Sequence, residues 1–229
     1  MSVAAVTPVD DFGADLRRSL VVWRAQPLLP IISMTFWTLP GLSLDDPIYF
    51  VLAILFYVFL GWPGTEREWY RRAFGGEVFP PSEIWPTSRR FFGRFLRLGL
   101  LLSPFLVVVL ALMCVIGWDT PPAIGFSLVL FFVLDVALTF VTPALTFTTS
   151  SARSALSIGV DMLRARWPAA APYALTPALV VILGTQTVVQ PLTGPAGAFV
   201  GSAVAGLFAL ALKGATVAFY LRHPPAPSS

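Results

Sequence analysis

The sequence predicts an all-α polytopic membrane bundle of about six transmembrane helices in three hairpins, each hairpin preceded by an interfacial amphipathic helix. Three observations predict it. Only 12% of the 229 residues are charged while 56% are hydrophobic, against roughly a quarter charged in ordinary soluble domains. Several uncharged stretches approach or exceed the length of about 20 residues with which a helix crosses hydrocarbon roughly 30 Å thick. All 15 Lys and Arg residues fall on one side of the pattern that those stretches make.

The apolar segments pair as 27–44 with 47–63, 98–118 with 122–147, and 169–192 with 196–221. The first two are short for a crossing, so either can be re-entrant. Pro27, Pro30, Pro40, Pro47 and Pro63 cluster near their ends, where proline costs a helix least. The cations are Arg17, Arg18 and Arg24 before the first hairpin and Arg67, Arg71, Arg72, Arg89, Arg90, Arg94 and Arg97 before the second. Arg153, Arg164 and Arg166 precede the third, and Lys213 and Arg222 close the chain. The opposite loops, LSLDDP, GWDTPP and QPLTGP, have none. Cytoplasmic flanks hold Lys and Arg, so both termini are expected in the cytoplasm of a cell whose inner membrane the protein crosses. Residues 1–222 then form one transmembrane domain, with interfacial helix plus hairpin at about 11–63, 83–147 and 150–222. Residues 223–229 form a Pro/Ser-rich cytoplasmic tail.

Each hairpin is led by a segment of helical period with charges on one face. In the first, Asp11, Asp15 and Arg18 are polar neighbours and Leu16, Leu20 and Trp23 lie on the apolar side. In the second, Arg90, Arg94 and Arg97 oppose Phe91, Phe92, Phe95, Leu96 and Leu98; in the third, Arg153, Ser157, Asp161 and Arg164 run beside Leu156, Val160, Leu163 and Trp167. An Arg-faced, Phe/Leu-backed helix is expected to lie in the interface plane, each Arg gaining about 1 kcal/mol from anionic lipid, and then to bend into the next span. Arg89, Arg90, Arg94 and Arg97 are therefore the candidate lipid- or partner-binding residues. Trp23, Trp62, Trp69, Trp85, Trp118 and Trp167 sit near proposed span ends, where indole rings settle as interface anchors.

The pI of about 9.4 and net charge of +3 do not make a nucleic-acid binder, because the Arg residues flank spans instead of forming a patch on a soluble domain. Cys114 is the lone cysteine, so no disulfide framework or Cys-rich metal site is expected. Arg17-Arg18-Ser19-Leu20-Val21 faintly matches a twin-arginine signal, but Arg24 interrupts the apolar region that should follow. His223 is the only histidine, and Ser127 lacks both a nucleophile-elbow glycine and a His partner. No catalytic residue, metal or cofactor is expected.

At TEREWYRRAFGGEVF and at FVTPALTFTTSSARSALSIGVDMLRARW the chain resembles a broad group of uncharacterised bacterial six-span proteins. These include the YesL-type proteins and the membrane domain fused to some glycerophosphodiester phosphodiesterases. Gly64, Trp69, Arg72, Gly76 and Glu77 fit the first motif of that group. Pro143, Ala144, Leu145, Ala155, Leu156, Arg164 and Trp167 fit the second. The resemblance implies a fold and no particular reaction, and the phosphodiesterase domain is not in this sequence.

Within the spans, Asp135 is the expensive residue, at about 2.5 to 3.5 kcal/mol for an ionised carboxylate at mid-membrane. It is expected either to tie to Lys213 on the last span, to be protonated and bonded to Thr139 or a neighbouring span, or to handle protons or substrate. Gln186 and Gln190 are either interhelical hydrogen-bonding groups or substrate contacts. Gly197, Gly201, Ala205 and Ala209 recur every fourth residue, a close-packing stripe that makes the last helix central or a dimer contact. Glu66, Arg67, Glu68, Arg71 and Arg72 read as a solvated, locally paired turn. The leading functional expectation is a non-enzymatic membrane scaffold or accessory subunit of an envelope or transport complex. Its partners would be anionic lipids and protein subunits or further copies of itself, with no nucleic acid. The alternatives are the permease subunit of an ATP-driven exporter, with residues 8–26 as elbow helix and 83–97 as coupling helix, and a membrane-embedded lipid enzyme.

Overall fold

The computed structural model of the chain describes residues 8–38, 49–116, 120–184 and 195–225. Among these every regular element is helical and no strand occurs. The helices are α1 (Pro8–Ala25), α2 (Leu28–Thr38), α3 (Tyr49–Phe74), α4 (Ile84–Ile116), α5 (Pro121–Leu138), α6 (Val141–Phe147), α7 (Ala152–Ala165), α8 (Trp167–Gly184) and α9 (Pro195–Arg222). A 3₁₀ turn at Pro81–Glu83 leads into α4. The loops LSLDDP and QPLTGP lie almost wholly outside the described residues.

The second amphipathic segment is not a separate interfacial helix. Residues 84–116 form one unbroken helix, and the face carrying Phe91, Phe95 and Leu98 is buried in one cluster with Phe140, with Val141, Ala144 and Leu145 of α6 and with Ala155 of α7 rather than offered to lipid. Glycine makes the close approach to α3 possible: a Cβ on Gly61 would overlap the Ser88 carbonyl oxygen, and one on Gly64 would lie 2.5 Å from the Phe91 ring. The helix pair α3–α4 consequently makes the most extensive contact in the molecule, joining what the sequence divides into two hairpins.

Two other expected boundaries move. Helix α3 does not stop near Pro63 but continues to Phe74, where Gly76 adopts φ 82° and the Glu77 N–H returns to the Arg72 carbonyl at 2.9 Å. That left-handed turn is open to glycine at little cost. The segment read as 122–147 breaks into α5 and α6 at Thr139–Phe140. Pro143 explains the break, since it has no N–H for the Thr139 carbonyl and its ring crowds that group.

Helix α9 is central, packing against α1, α2, α3 and α8. Leu210, Ala215, Val217, Phe219 and Tyr220 are all buried, and they link two apolar clusters, one around α4, α6 and α7 and the other around α1, α2 and α3. Helix α1 lies on it with its polar stripe inward: Asp15 and Ser19 are buried with Val22, as is Gln26 just past its end, while Leu20 and Val21 face out. Helix α7 is capped by Ser151, whose hydroxyl accepts from the Ser154 N–H, and it buries Ala152, Ala155, Gly159 and Met162.

Two stretches are long and apolar enough to cross a membrane, Pro81–Ile116 and Ala203–Arg222. Of these, the α4 stretch leaves Leu100, Phe105, Val107, Val108, Leu112 and Val115 exposed, Val115 to 85%. The expected six-fold crossing is thus represented by two such helices among the described residues.

Candidate functional site

The segment ERE at 66–68 is where charge and burial meet. A helix turn continues past the apolar part of α3, so Glu66, Arg67 and Glu68 project into the packed interior, where they are 0%, 7% and 6% exposed. This corrects the expectation of a solvated turn. Buried ions require partners, and each of the three has found them. Glu66 accepts the Lys213 ammonium from α9 at 2.9 Å and the Trp62 indole N–H at 2.8 Å. Arg67 donates to the Pro63 carbonyl at 2.6 Å and to the Thr142 hydroxyl on α6. Glu68 takes both prongs of Arg71, at 2.6 and 2.9 Å, and Arg72 at 3.2 Å; Arg72 also reaches Glu83 at 2.8 Å. Burial by itself pushes the Glu68 carboxyl up, but the two guanidinium groups outweigh it and hold it below the usual carboxylate range.

The same end of the molecule holds a second ionic tie that sequence reasoning missed. Asp15 of α1 receives Arg222 from the end of α9, with one contact at 2.6 Å, and the Tyr173 hydroxyl of α8 at 2.6 Å. An acid and a base 207 residues apart carry no local signal of pairing. Around them, Trp23 donates to the Tyr70 hydroxyl at 2.7 Å, Tyr70 donates to the Leu210 carbonyl at 3.0 Å, and Gln26 takes the Trp69 indole N–H and the Phe79 N–H. Trp62 and Trp69 are therefore 1% exposed core residues and not interface anchors. Trp85 and Trp167 are exposed, Trp23 is half-buried, and Trp118 lies outside the described residues.

Two cavities open off this charged layer. One, of about 230 Å3, is lined by Arg67, Asp135, Thr139, Thr142, Lys213 and Thr216 together with Leu138, Pro177 and Ala209. Asp135 and Lys213 both line this space; Lys213 pairs with Glu66 at 2.9 Å, and Thr139 donates to the Asp135 backbone carbonyl at 2.8 Å. The other cavity, of about 500 Å3, lies between α3, α4 and the loop before α7. Arg71, Arg90, Arg94, Glu68 and Phe91 form one side, and the run Thr146-Phe147-Thr148-Thr149-Ser150 forms the other. Arg94 donates to the Leu145 carbonyl at 3.2 Å, and Arg90 and Arg94 both lie over the Phe91 ring, at 4.7 and 5.5 Å.

Of the four arginines expected to bind lipid or a partner, Arg90 and Arg94 line this cavity, while Arg89 and Arg97 are exposed outside its lining. Gln186 and Gln190 lie outside the described residues. Gly197 and Gly201 fall within α9, on which Ala205 is half-buried and Ala209 buried. Cys114 is exposed. His223 stacks on Phe219 with ring centroids 4.6 Å apart. No group of three or more His, Cys, Asp or Glu side chains fit to hold a metal occurs among the described residues.

Comparison with protein families, with curated proteins and with solved structures finds no match to the chain.

Proposed function

We propose that the chain is a multi-pass protein of the bacterial inner membrane, six spans in three hairpins with both termini cytoplasmic, and that it acts without catalysis as a scaffold or accessory subunit. The observation that carries this reading is an inversion of polarity. Asp15, Glu66, Arg67 and Glu68 are buried at one end, while valine, leucine and phenylalanine stand exposed along α4 at the other. In water that exposed apolar face is a large unfavourable patch; in acyl chains it costs nothing. A buried core helix also passes a hydropathy test, but the described side chains of α4's apolar half are mostly exposed.

A structural role is supported by how the buried charges are used. Acid faces base at Asp15–Arg222, Glu66–Lys213 and Glu68–Arg71, which ties α1 to α9, α3 to α9 and α3 to itself. The permease reading calls for a coupling helix set apart from the span at 83–97, and the continuity of α4 through those residues weighs against it.

Reporter fusions test the topology: a cytoplasm-active reporter placed at Arg71 and a periplasm-active one at Asp119 should both be active, and the reversed pair silent. Activity of one reporter at both sites would sink the proposal. Mild extraction of the native protein tests the role, since a scaffold should bring a stoichiometric subunit or a second copy with it.

A further inference from the structure

The 500 Å3 cavity is of the size of small-molecule sites, roughly 300 to 1,000 Å3, yet its lining is ionic and hydroxylic where such sites are mostly apolar. Three guanidinium groups, Arg71, Arg90 and Arg94, face it against one carboxylate, Glu68; three positive charges less one negative leaves an excess of two. Glu68 is already saturated by Arg71 and Arg72, so it does not compete for an incoming anion. Among the described residues Arg90 and Arg94 form no ion pair. Their guanidinium carbons lie over the Phe91 ring, 4.7 and 5.5 Å from its centroid, a contact that leaves their charge unneutralised. The facing wall includes Thr149 and Ser150; the Thr149 hydroxyl accepts from the Ser151 N–H at 3.1 Å and keeps its own proton to donate, while the Thr148 hydroxyl is bonded to Tyr220 at 2.6 Å. Planar forks opposite hydroxyl donors suit the tetrahedral, multiply accepting oxygens of a phosphate better than a carboxylate or a halide.

Depth selects the source of that phosphate. Along α4 the last two charges are Arg94 and Arg97, and no charged residue follows to Ile116. The cavity thus sits about 6 Å, one helical turn, from the start of the uncharged stretch, the level at which lipid headgroups meet a span.

We propose that this cavity binds the phosphate of an anionic phospholipid headgroup, gripped by Arg90 and Arg94 and backed by Arg71 and the hydroxyls of Thr149 and Ser150. The proposal rests on the membrane reading above. Its test therefore uses protein already shown to incorporate into phosphatidylcholine nanodiscs: failure to incorporate overturns that reading, while incorporation without lipid preference overturns the site alone. Phosphatidylglycerol is titrated into such nanodiscs, and the thermal midpoint and retained lipid are read. Wild type should be stabilised saturably. Arg90→Ala, which removes an exposed side chain and spares the Arg94 contact to Leu145, should weaken apparent affinity about tenfold, and the double variant Arg90→Ala/Arg94→Ala further. Arg89→Ala/Arg97→Ala removes equal charge from the same helix outside the cavity and should leave affinity unchanged. Equal losses from the two double variants would reduce the effect to general surface charge and overturn the proposal. In detergent, glycerol phosphate and inorganic phosphate should protect far less than phosphatidylglycerol. Equal protection would reassign the cavity to a soluble phosphate and overturn the lipid assignment.

Discussion

The two ends of α4 follow opposite rules. Between Ile84 and Leu98, Phe91, Phe95 and Leu98 are buried against α3, α6 and α7, and Arg90 and Arg94 border a polar cavity. Beyond that stretch Leu100, Phe105, Val107, Val108, Leu112 and Val115 are exposed, while Leu102 packs on the core and Val109 forms a small apolar cluster with Leu130. The first half is built like a soluble domain and the second like a surface dissolved in lipid. On the membrane reading proposed above, one helix obeys both because its solvent changes along its length, and the ionic pairs lie on the first side of that change.

The largest break in this contrast should come from the charged end. Glu66→Ala removes the carboxylate shared by Lys213 and Trp62 inside a fully buried site. Breaking a buried pair typically costs about 3 to 5 kcal/mol, and a loss of that order is expected. Glu66→Gln preserves an acceptor for the Trp62 N–H and should cost less. Thermal midpoints in detergent rank the two, and equal midpoints for Glu66→Ala and wild type would show that the pair holds nothing.

The apolar end gives the next effect and the sharper discrimination. Val108 is 58% exposed. On a surface in water, Val108→Asp should change stability by about 0.5 kcal/mol at most; facing lipid near the middle of a span it should cost about 2.5 to 3.5 kcal/mol. The fraction of protein recovered in the membrane, compared with Val108→Leu, reads the difference directly. Unchanged recovery would return this face to water or to a protein partner.

What could be read from the sequence divides along the same line. Helical class and the apolar half of α4 follow from periodicity and hydropathy, which are local patterns; the packing that makes α9 central runs through Leu210, Ala215, Val217, Phe219 and Tyr220, beyond the stripe of Gly197, Gly201, Ala205 and Ala209. The extension of α3 to Phe74 was hidden by Pro63, which marks a helix end by composition but is accommodated inside this one. The burial of Glu66, Arg67 and Glu68 was hidden for a different reason. Charge predicts exposure unless the partner is known, and the partners here are Lys213, Thr142 and the following turn of α3. Within the candidate site, Arg90 and Arg94 were separable from Arg89 and Arg97 only once the TFTTSS run at 146–151 was seen folded back across α4. A run of hydroxyls next to the Pro143 break was the one available hint.

The smallest expected effect is a pH dependence at the join between the two regimes. Glu68 in the folded protein holds its proton less tightly than an ordinary glutamate, because Arg71 and Arg72 overcome the opposing effect of burial. As pH falls, the unfolded chain therefore protonates first, near about pH 4.3, and binds more protons than the folded one, so stability declines with acidity. The Glu68 contribution is complete above that value and fades as pH drops through the lower folded one. Arg71 is 43% exposed and solvent screens it, so the gain is expected at about 1 kcal/mol or less. Thermal midpoints of wild type and Glu68→Gln, measured from pH 7 down to about pH 3.5, should differ by a constant amount to about pH 5 and converge below. A difference that persists or widens in acid would mean that the carboxylate is not held by its two arginines, and that the wall of the cavity next to Arg71 owes its order to packing alone.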